Sequence, residues 1–551
     1  MADKDQCAPI IQVPPQSQFS RVLGIFKPAV WIALVWVLGI TVLFIPFLLV
    51  EYPPLVDYPV HLSRQFILQN LESIPQLQVN YQLAWGIKPN LAMDLIVPIL
   101  SIFLPLTLAT KAFVMLSIAL IVLGTLMLSK QIHGRIGVLP FASLLFVYNM
   151  ALYEGHINYL FASGLMLVSF AVWLKLTDYS NRVQTASLSV LLIALFISHL
   201  FAMGLLCLCI FCYELAKAFT LRKFSIQPFL NLTIALVPLA LLWLLKPAGP
   251  PSGGWDYGYD ITTHIVALLS GAFFFDESDI LTMICLCALF IVFAIVAFHK
   301  NTREGDKPFF LLVFALIIIS PFVPETMMGG SRFVIRIPIL IPFLILAIPP
   351  PAMISHRMSQ YFLGTILILI TCRTMNIAND WLSKNQDFSE FIAASQVISA
   401  GSRVIQARQE STGKVIFDMP YRHLTELLIP DKYIFVPHMA KIPDQQPIAP
   451  SKETASIDGG TASPITLKQL QDGSDPVISK TLLNTKMDGW QKPYWAFWPQ
   501  NFDYLVFLHM REPQENPSPD HLKLIKAGSF FDIYQIQGRR LAFDYSTPNK
   551  Q

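Results

Sequence analysis

Charge is scarce in this chain. Of its 551 residues, 54% are hydrophobic and only 14% are charged, whereas soluble domains carry about 25% charged residues. Mean hydropathy is +0.53. One soluble core stops growing at roughly 250–300 residues, so a single soluble globular domain is excluded. Disordered, collagen-like and disulfide-scaffold chains are excluded by the same figures. Cysteine is also sparse: Cys7, Cys207, Cys209, Cys212, Cys285, Cys287 and Cys372. No histidine spacing makes a zinc motif of them, and they read as small buried apolar residues. A cleavable signal peptide is not visible, because the first apolar run, Pro28 to Val50, is too long and no small-residue cleavage site follows it. Nor is there a nucleotide-binding glycine motif or an internal repeat.

What is present is apolar runs. They lie near 28–50, 108–129, 137–152, 156–174, 185–198, 199–216, 228–245, 279–298, 308–324, 334–351 and 358–375. The expected fold class is therefore a polytopic α-helical membrane protein with about 11 transmembrane helices and a C-terminal α/β domain. Leu91 to Leu108 is ambiguous, since it carries Asp94, Pro98 and Pro105. Charge placement decides it. With 91–108 on the outer surface and the N-terminus cytoplasmic, inner loops hold fourteen Lys and Arg and outer loops six. If that segment spans, the bias inverts, against the positive-inside rule. Residues 91–108 and Ile265 to Phe275 are accordingly expected as interfacial helices on the outer face.

Three regions follow: a cytoplasmic segment 1–27, a transmembrane domain 28–375 with a long first outer loop 51–107, and an extracytoplasmic domain 376–551. The last is polar and free of cysteine. It shows β-type runs at Lys414–Asp418, Tyr433–Val436, Phe502–His509 and Phe530–Ile536, a helical stretch at Phe388–Gln409, and a mobile loop at Asp444–Ser463.

The first outer loop opens Glu51-Tyr-Pro-Pro-Leu-Val-Asp57-Tyr-Pro-Val-His61-Leu-Ser-Arg64. Asp57, His61 and Arg64 are spaced i, i+4, i+7 and share a helix face. Asp57 can serve as a general base, with His61 and Arg64 orienting it or binding phosphate. It is equally an N-cap, with Pro59 in the first turn. Glu154, His156, His199, Arg332 and Arg336 fall on the same side of the membrane in this topology. Arg332 and Arg336 can grip a lipid phosphate, or snorkel to headgroups. Glu154 and His156 can line the site or simply face water, and His199 can bond between helices. Trp255, Tyr257 and Tyr259 read as an interfacial aromatic belt.

Two stretches, Pro54-Leu-Val-Asp57-Tyr-Pro-Val-His61 and Pro89-Asn-Leu-Ala-Met-Asp94-Leu, together with this architecture, resemble the GT-C superfamily of membrane glycosyltransferases. The likeness is to bacterial members of the mannosyltransferase and aminoarabinose-transferase type. It covers about 28–375 in architecture but only the short stretches in motif. It implies an inverting enzyme of a bacterial-type inner (cytoplasmic) membrane. A polyprenyl-phosphate-linked sugar would be the donor and a glycan, lipid or protein the acceptor, with no nucleic acid involved. It also implies Asp57 and His61 as catalytic residues, and Arg64, Glu154, His156, His199, Arg332 and Arg336 as substrate-binding residues. Many relatives carry adjacent Asp-Glu in this loop; here Asp57 stands alone, and no Asp-x-Asp metal motif lies beside it. No cofactor is expected; a divalent metal is left open, with no motif to support it. The competing readings are a transporter or flippase of a lipid-linked or anionic solute, and a non-enzymatic envelope-assembly scaffold.

Overall fold

The computed structural model describes residues 28–244, 254–258, 260–270, 280–297, 303–327, 330–349, 356–409, 419–439, 441, 445–460, 463–484, 493–512 and 515–537. Its helices of ten or more residues are α1 (Pro28–Leu49), α2 (Tyr58–Asn70), α3 (Ala92–Ser101), α4 (Leu106–His133), α5 (Ile157–Leu176), α6 (Asn181–Ser198), α7 (Leu200–Leu221), α8 (Gln227–Leu244), α9 (Ile261–Ser270), α10 (Ile280–Ala297), α11 (Lys307–Ile319), α12 (Arg336–Ala347) and α13 (His356–Ala394). Among the described residues, seven helices are long and apolar enough to cross a bilayer. The chain is an integral membrane protein.

Helices α4 and α5 run parallel. Phe113 stacks on Phe161, with ring centroids 5.2 Å apart. Gly124 lies against Gly164 and Leu167, and Gly164 against Leu120 and Ile121, so closely that a Cβ at either glycine would come within 2.6 Å of its neighbour. Glycine at both positions is what lets the backbones approach. Parallel neighbours require the chain to return over their whole length, through residues 134–156. This return was expected as a helix over 137–152. Instead it is a 3-10 helix, Leu139–Leu145, followed by a one-turn helix, Met150–Glu154. Pro140 opens the 3-10 helix and Asn149 caps the second turn, accepting from the Leu152 amide. Irregular backbone tolerates such a place only when protein surrounds it, and residues 140–149 are indeed all buried.

Helix α3 is ten residues long, shorter than a bilayer span. Helix α9 covers Ile261–Ser270; residues 271–275 of the expected interfacial segment lie outside the described residues. Helix α13 corrects the expected break near 376. It runs 39 residues without interruption, about 58 Å at 1.5 Å per residue. One rod thus crosses the apolar layer and enters the C-terminal domain. Phe388–Ala394 is its last part; of the rest of the stretch expected as helical, Ser395–Val397 is a 3-10 turn and Val404–Arg408 is strand β2.

That domain holds a five-stranded mixed sheet. The further strands are β4 (Ile465–Thr466), β5 (Tyr504–Leu508), β6 (Leu522–Ala527) and β7 (Phe531–Ile536), in the order β4-β2-β5-β7-β6. β2 is parallel to β4 and β5, and β7 is antiparallel to β5 and β6. The runs expected at Phe502–His509 and Phe530–Ile536 correspond to β5 and β7. Tyr433–Val436 contributes only a bridge, Phe435 to Arg403, and Lys414–Asp418 lies outside the described residues. The segment expected as a mobile loop is instead pinned. Within it β3 (Ile448–Pro450) pairs antiparallel with β1 (Tyr81–Leu83) of the 51–107 segment. The Thr454 hydroxyl donates to the Asn80 carbonyl at 2.8 Å. The C-terminal domain is thereby laid onto the loop that carries Asp57.

Candidate active site

Asp57 occupies the N-cap position of α2, yet its side chain makes no cap hydrogen bond. The capping role that its spacing allowed is unused, and the carboxylate is turned elsewhere. Two backbone bonds fix its position: the Val56 amide donates to the Tyr153 carbonyl at 2.9 Å, and the Asp57 amide to the Glu154 carbonyl at 3.2 Å. Gly155, at φ +81°, sits so close that a Cβ there would lie 2.8 Å from the Asp57 amide nitrogen. Only glycine meets both demands.

The Asp57 side chain is 38% exposed. Desolvation raises its pKa, while His423, Arg422 and Arg64 pull it down and Glu426 adds to the rise; water on the open side screens part of this. His61 donates from Nε2 to the Gly155 carbonyl at 2.9 Å. Burial and the Arg64 charge outweigh that bond and lower the His61 pKa to about 3, so the ring is neutral and braces the 153–155 turn. Arg64 is 1% exposed and its Nε donates to Asp94 Oδ1 at 2.8 Å. The Gln65 amide donates to the same oxygen at 2.6 Å. Arg64 therefore clamps α2 to α3, away from the open side of Asp57. The second stretch that carried the resemblance is also tied down: Asn158 accepts from the Met93 amide and donates to the Asn90 carbonyl.

The next shell is cationic. Arg332 Nε donates to Glu154 Oε1 at 2.7 Å, and Nη2 reaches the same oxygen. Arg332 holds φ +60°, a left-handed backbone that non-glycine residues adopt at a cost. His156 Nε2 stands 3.5 Å from Glu154 Oε2. Arg336 Nη1 is 3.0 Å from His199 Nε2, and the Arg336 guanidinium lies 3.9 Å above the Phe333 ring. The Phe201 amide also donates to His199 Nδ1. A neutral imidazole has one nitrogen lone pair to offer, so the two donors compete for it.

Arg336 and His199 stand in the wall of a cavity of about 740 Å³. Its lining is otherwise largely apolar, with Phe201, Leu208, Trp243 and Val323 among the residues. Trp255, 63% exposed, belongs to the same wall; Tyr259 lies outside the described residues. Asp57, His61, Glu154, His156 and Arg332 thus form one contiguous polar cluster, and His199 and Arg336 adjoin it beside the cavity. Arg64 belongs to the frame beneath.

Sequence reasoning missed the C-terminal domain's share. His423 Nε2 lies 3.6 Å from Asp57 Oδ1, and its Nδ1 bonds Glu426 Oε1 at 2.7 Å. Gln406 of β2 holds this turn: its oxygen accepts from the Thr425 amide and hydroxyl, and its nitrogen donates to the Tyr421 and Arg422 carbonyls. The signal available was the His423-Leu-Thr-Glu426 spacing followed by His438.

No family model matches the sequence, and no curated protein matches it. Solved structures do. The chain is similar to the crystal structure of ArnT from Cupriavidus metallidurans bound to undecaprenyl phosphate, with TM-score 0.50 and 11% identity over 92% of this chain and 98% of that one. The apo structure of the same protein gives TM-score 0.48 over the same shares, again at 11% identity. At such identity the likeness concerns the fold alone. The particular structure it follows over nearly its whole length is that of ArnT.

Proposed function

We propose that the protein is an inverting glycosyltransferase. It moves a sugar from a polyprenyl-phosphate donor to an acceptor on the outer side of a bacterial-type inner membrane. The observation that carries this reading is the cavity: a largely apolar lining with Arg336 and His199 at its wall, adjoining the cluster around Asp57. An apolar tail with a phosphate head has that distribution of polarity. The ArnT structure of the same fold holds undecaprenyl phosphate, which is in keeping with it. Eleven crossings accord with the sequence, counting the irregular return 134–156 as one, with the N-terminus inside and the C-terminal domain outside.

In this mechanism the acceptor hydroxyl oxygen attacks the anomeric carbon. Asp57 takes the hydroxyl proton as the new C–O bond forms. The bond from the anomeric carbon to the phosphate oxygen breaks, and the phosphate leaves with the electron pair. Arg336 and Arg332 meet the charge that develops on it. His61 and Gly155 hold the base in place. Sugar and acceptor are not specified by these groups.

The test is complementation of a deletion strain, with envelope glycans and lipids profiled by mass spectrometry. A sugar-sized mass that wild type restores and Asp57→Asn does not, at equal membrane levels, is the expected result. Full restoration by Asp57→Asn overturns the assignment. Purified protein titrated with undecaprenyl phosphate should bind it, with at least tenfold weaker binding in Arg336→Ala.

A further inference from the structure

His423, Glu426 and His438 lie at the seam between the outer domain and the first outer loop. They are 6%, 0% and 1% exposed. Each offers one ligand atom, and the three atoms lie within 4.8 Å of one another. His423 Nδ1 is 2.7 Å from Glu426 Oε1, and His438 Nδ1 is 3.9 Å from the same oxygen. A His–carboxylate hydrogen bond accounts for His423 and Glu426 but not for His438. Neither ring nitrogen of His438 has a hydrogen-bond partner, although buried polar groups are almost always bonded. The His423 ring lies 5.7 Å away, centroid to centroid.

We infer that His423, Glu426 and His438 form a binding site for a divalent transition metal, zinc by preference, placed directly behind Asp57. Two imidazoles and one carboxylate suit zinc, whose three-ligand sites keep a fourth position open. Magnesium and calcium want oxygen ligands and are disfavoured. A tetrahedral zinc sets its ligand atoms roughly 3.4 Å apart, between the two separations measured to Glu426. The surroundings match those of metal ligands. The Thr425 hydroxyl donates to Glu426 Oε2 at 3.1 Å and orients the carboxylate. A metal on His423 Nδ1 leaves the ring proton on Nε2, which faces Asp57 at 3.6 Å. Metal-bound histidines commonly donate their second nitrogen to a carboxylate in this way. The site would therefore aim Asp57, and that clause alone rests on the transferase reading.

The experiment uses full-length, tag-free protein in detergent, stripped with a chelator, incubated with zinc chloride and desalted. Metal per chain is measured by plasma mass spectrometry, and thermal unfolding is followed with and without zinc. Wild type should retain about one zinc per chain and unfold at higher temperature with it. His438→Ala and Glu426→Gln should retain none. Asp57→Asn should bind zinc about 10–100-fold more weakly; equal affinity would remove the link to the base. Absence of zinc and of any thermal shift in wild type overturns the site, and so does equal retention by His438→Ala. The wild-type measurement decides even if the variants fail to fold. None of these readouts needs turnover, so a failed metal site leaves the transferase reading standing, and an inactive protein that retains zinc leaves the metal site standing.

Discussion

The membrane region and the C-terminal domain meet at Asp57 with different chemistry. On the membrane side acid and base are paired: Glu154, 5% exposed, lies against Arg332, 33% exposed, and Arg336 stands against His199. On the C-terminal side Glu426 and His438 are sealed from solvent, and neither ring nitrogen of His438 is bonded. On the proposed reading the membrane region supplies the chemistry and the C-terminal domain aims it.

The sharpest way to break that division is to compare Asp57→Asn with His423→Gln. Removing the base should lower turnover by about 10²–10⁴. His423→Gln, acting only through the base, should lower it less and leave donor binding unchanged. Equal losses would place His423 in the reaction itself and collapse the distinction. Initial rates at saturating donor and acceptor decide it.

Stability tests the frame beneath the site. Arg64 and Asp94 are buried together. Breaking the pair with Arg64→Met or Asp94→Leu alone strands a charge and should cost about 3–5 kcal/mol. The double variant should recover most of this. Thermal unfolding of the four proteins in one detergent is the measurement, and additive losses would show that the pair is not the unit.

Gly155→Ala probes the seam itself. The added methyl meets the Asp57 backbone and the φ of +81° strains it. Displacement of the base by a fraction of an ångström to an ångström should cost up to about 10²-fold in turnover, with a smaller change in donor affinity. A variant with wild-type rates would mean that the 153–155 turn does not position Asp57.

Much of this architecture could be read from the chain because charge is rare in it. Asp57 stood out as an acid among Pro53, Pro54 and Pro59, and Asp94 with Pro98 marked α3 as short. Where local signals mislead, the cause is physical. The polar turn in composition near 376 brings no proline or glycine, so nothing stops α13 before Ala394. The 137–152 run is apolar enough for a helix, but Pro140 and the need to fit between parallel neighbours make it irregular. His423, Glu426 and His438 escape notice because Asp57 lies hundreds of residues away in sequence. The β1–β3 pairing that brings the two regions together is non-local in the same way.

That pairing is the target of the mildest test. Thr454 is fully buried, and its hydroxyl donates to the Asn80 carbonyl, which the Ser451 amide also reaches at 3.0 Å. Thr454→Val keeps the volume and removes one of the two donors. The carbonyl remains bonded, so the loss should be about 0.5–1.5 kcal/mol. If the outer domain aims the base through this attachment, turnover should fall a few-fold, by about the factor that energy represents, while the affinity for undecaprenyl phosphate stays at the wild-type value. The cavity that holds Arg336 would then be untouched and only the seam loosened. A drop in lipid affinity with unchanged turnover would reverse the assignment, making the outer domain a wall of the donor cavity, where Gln445 already stands.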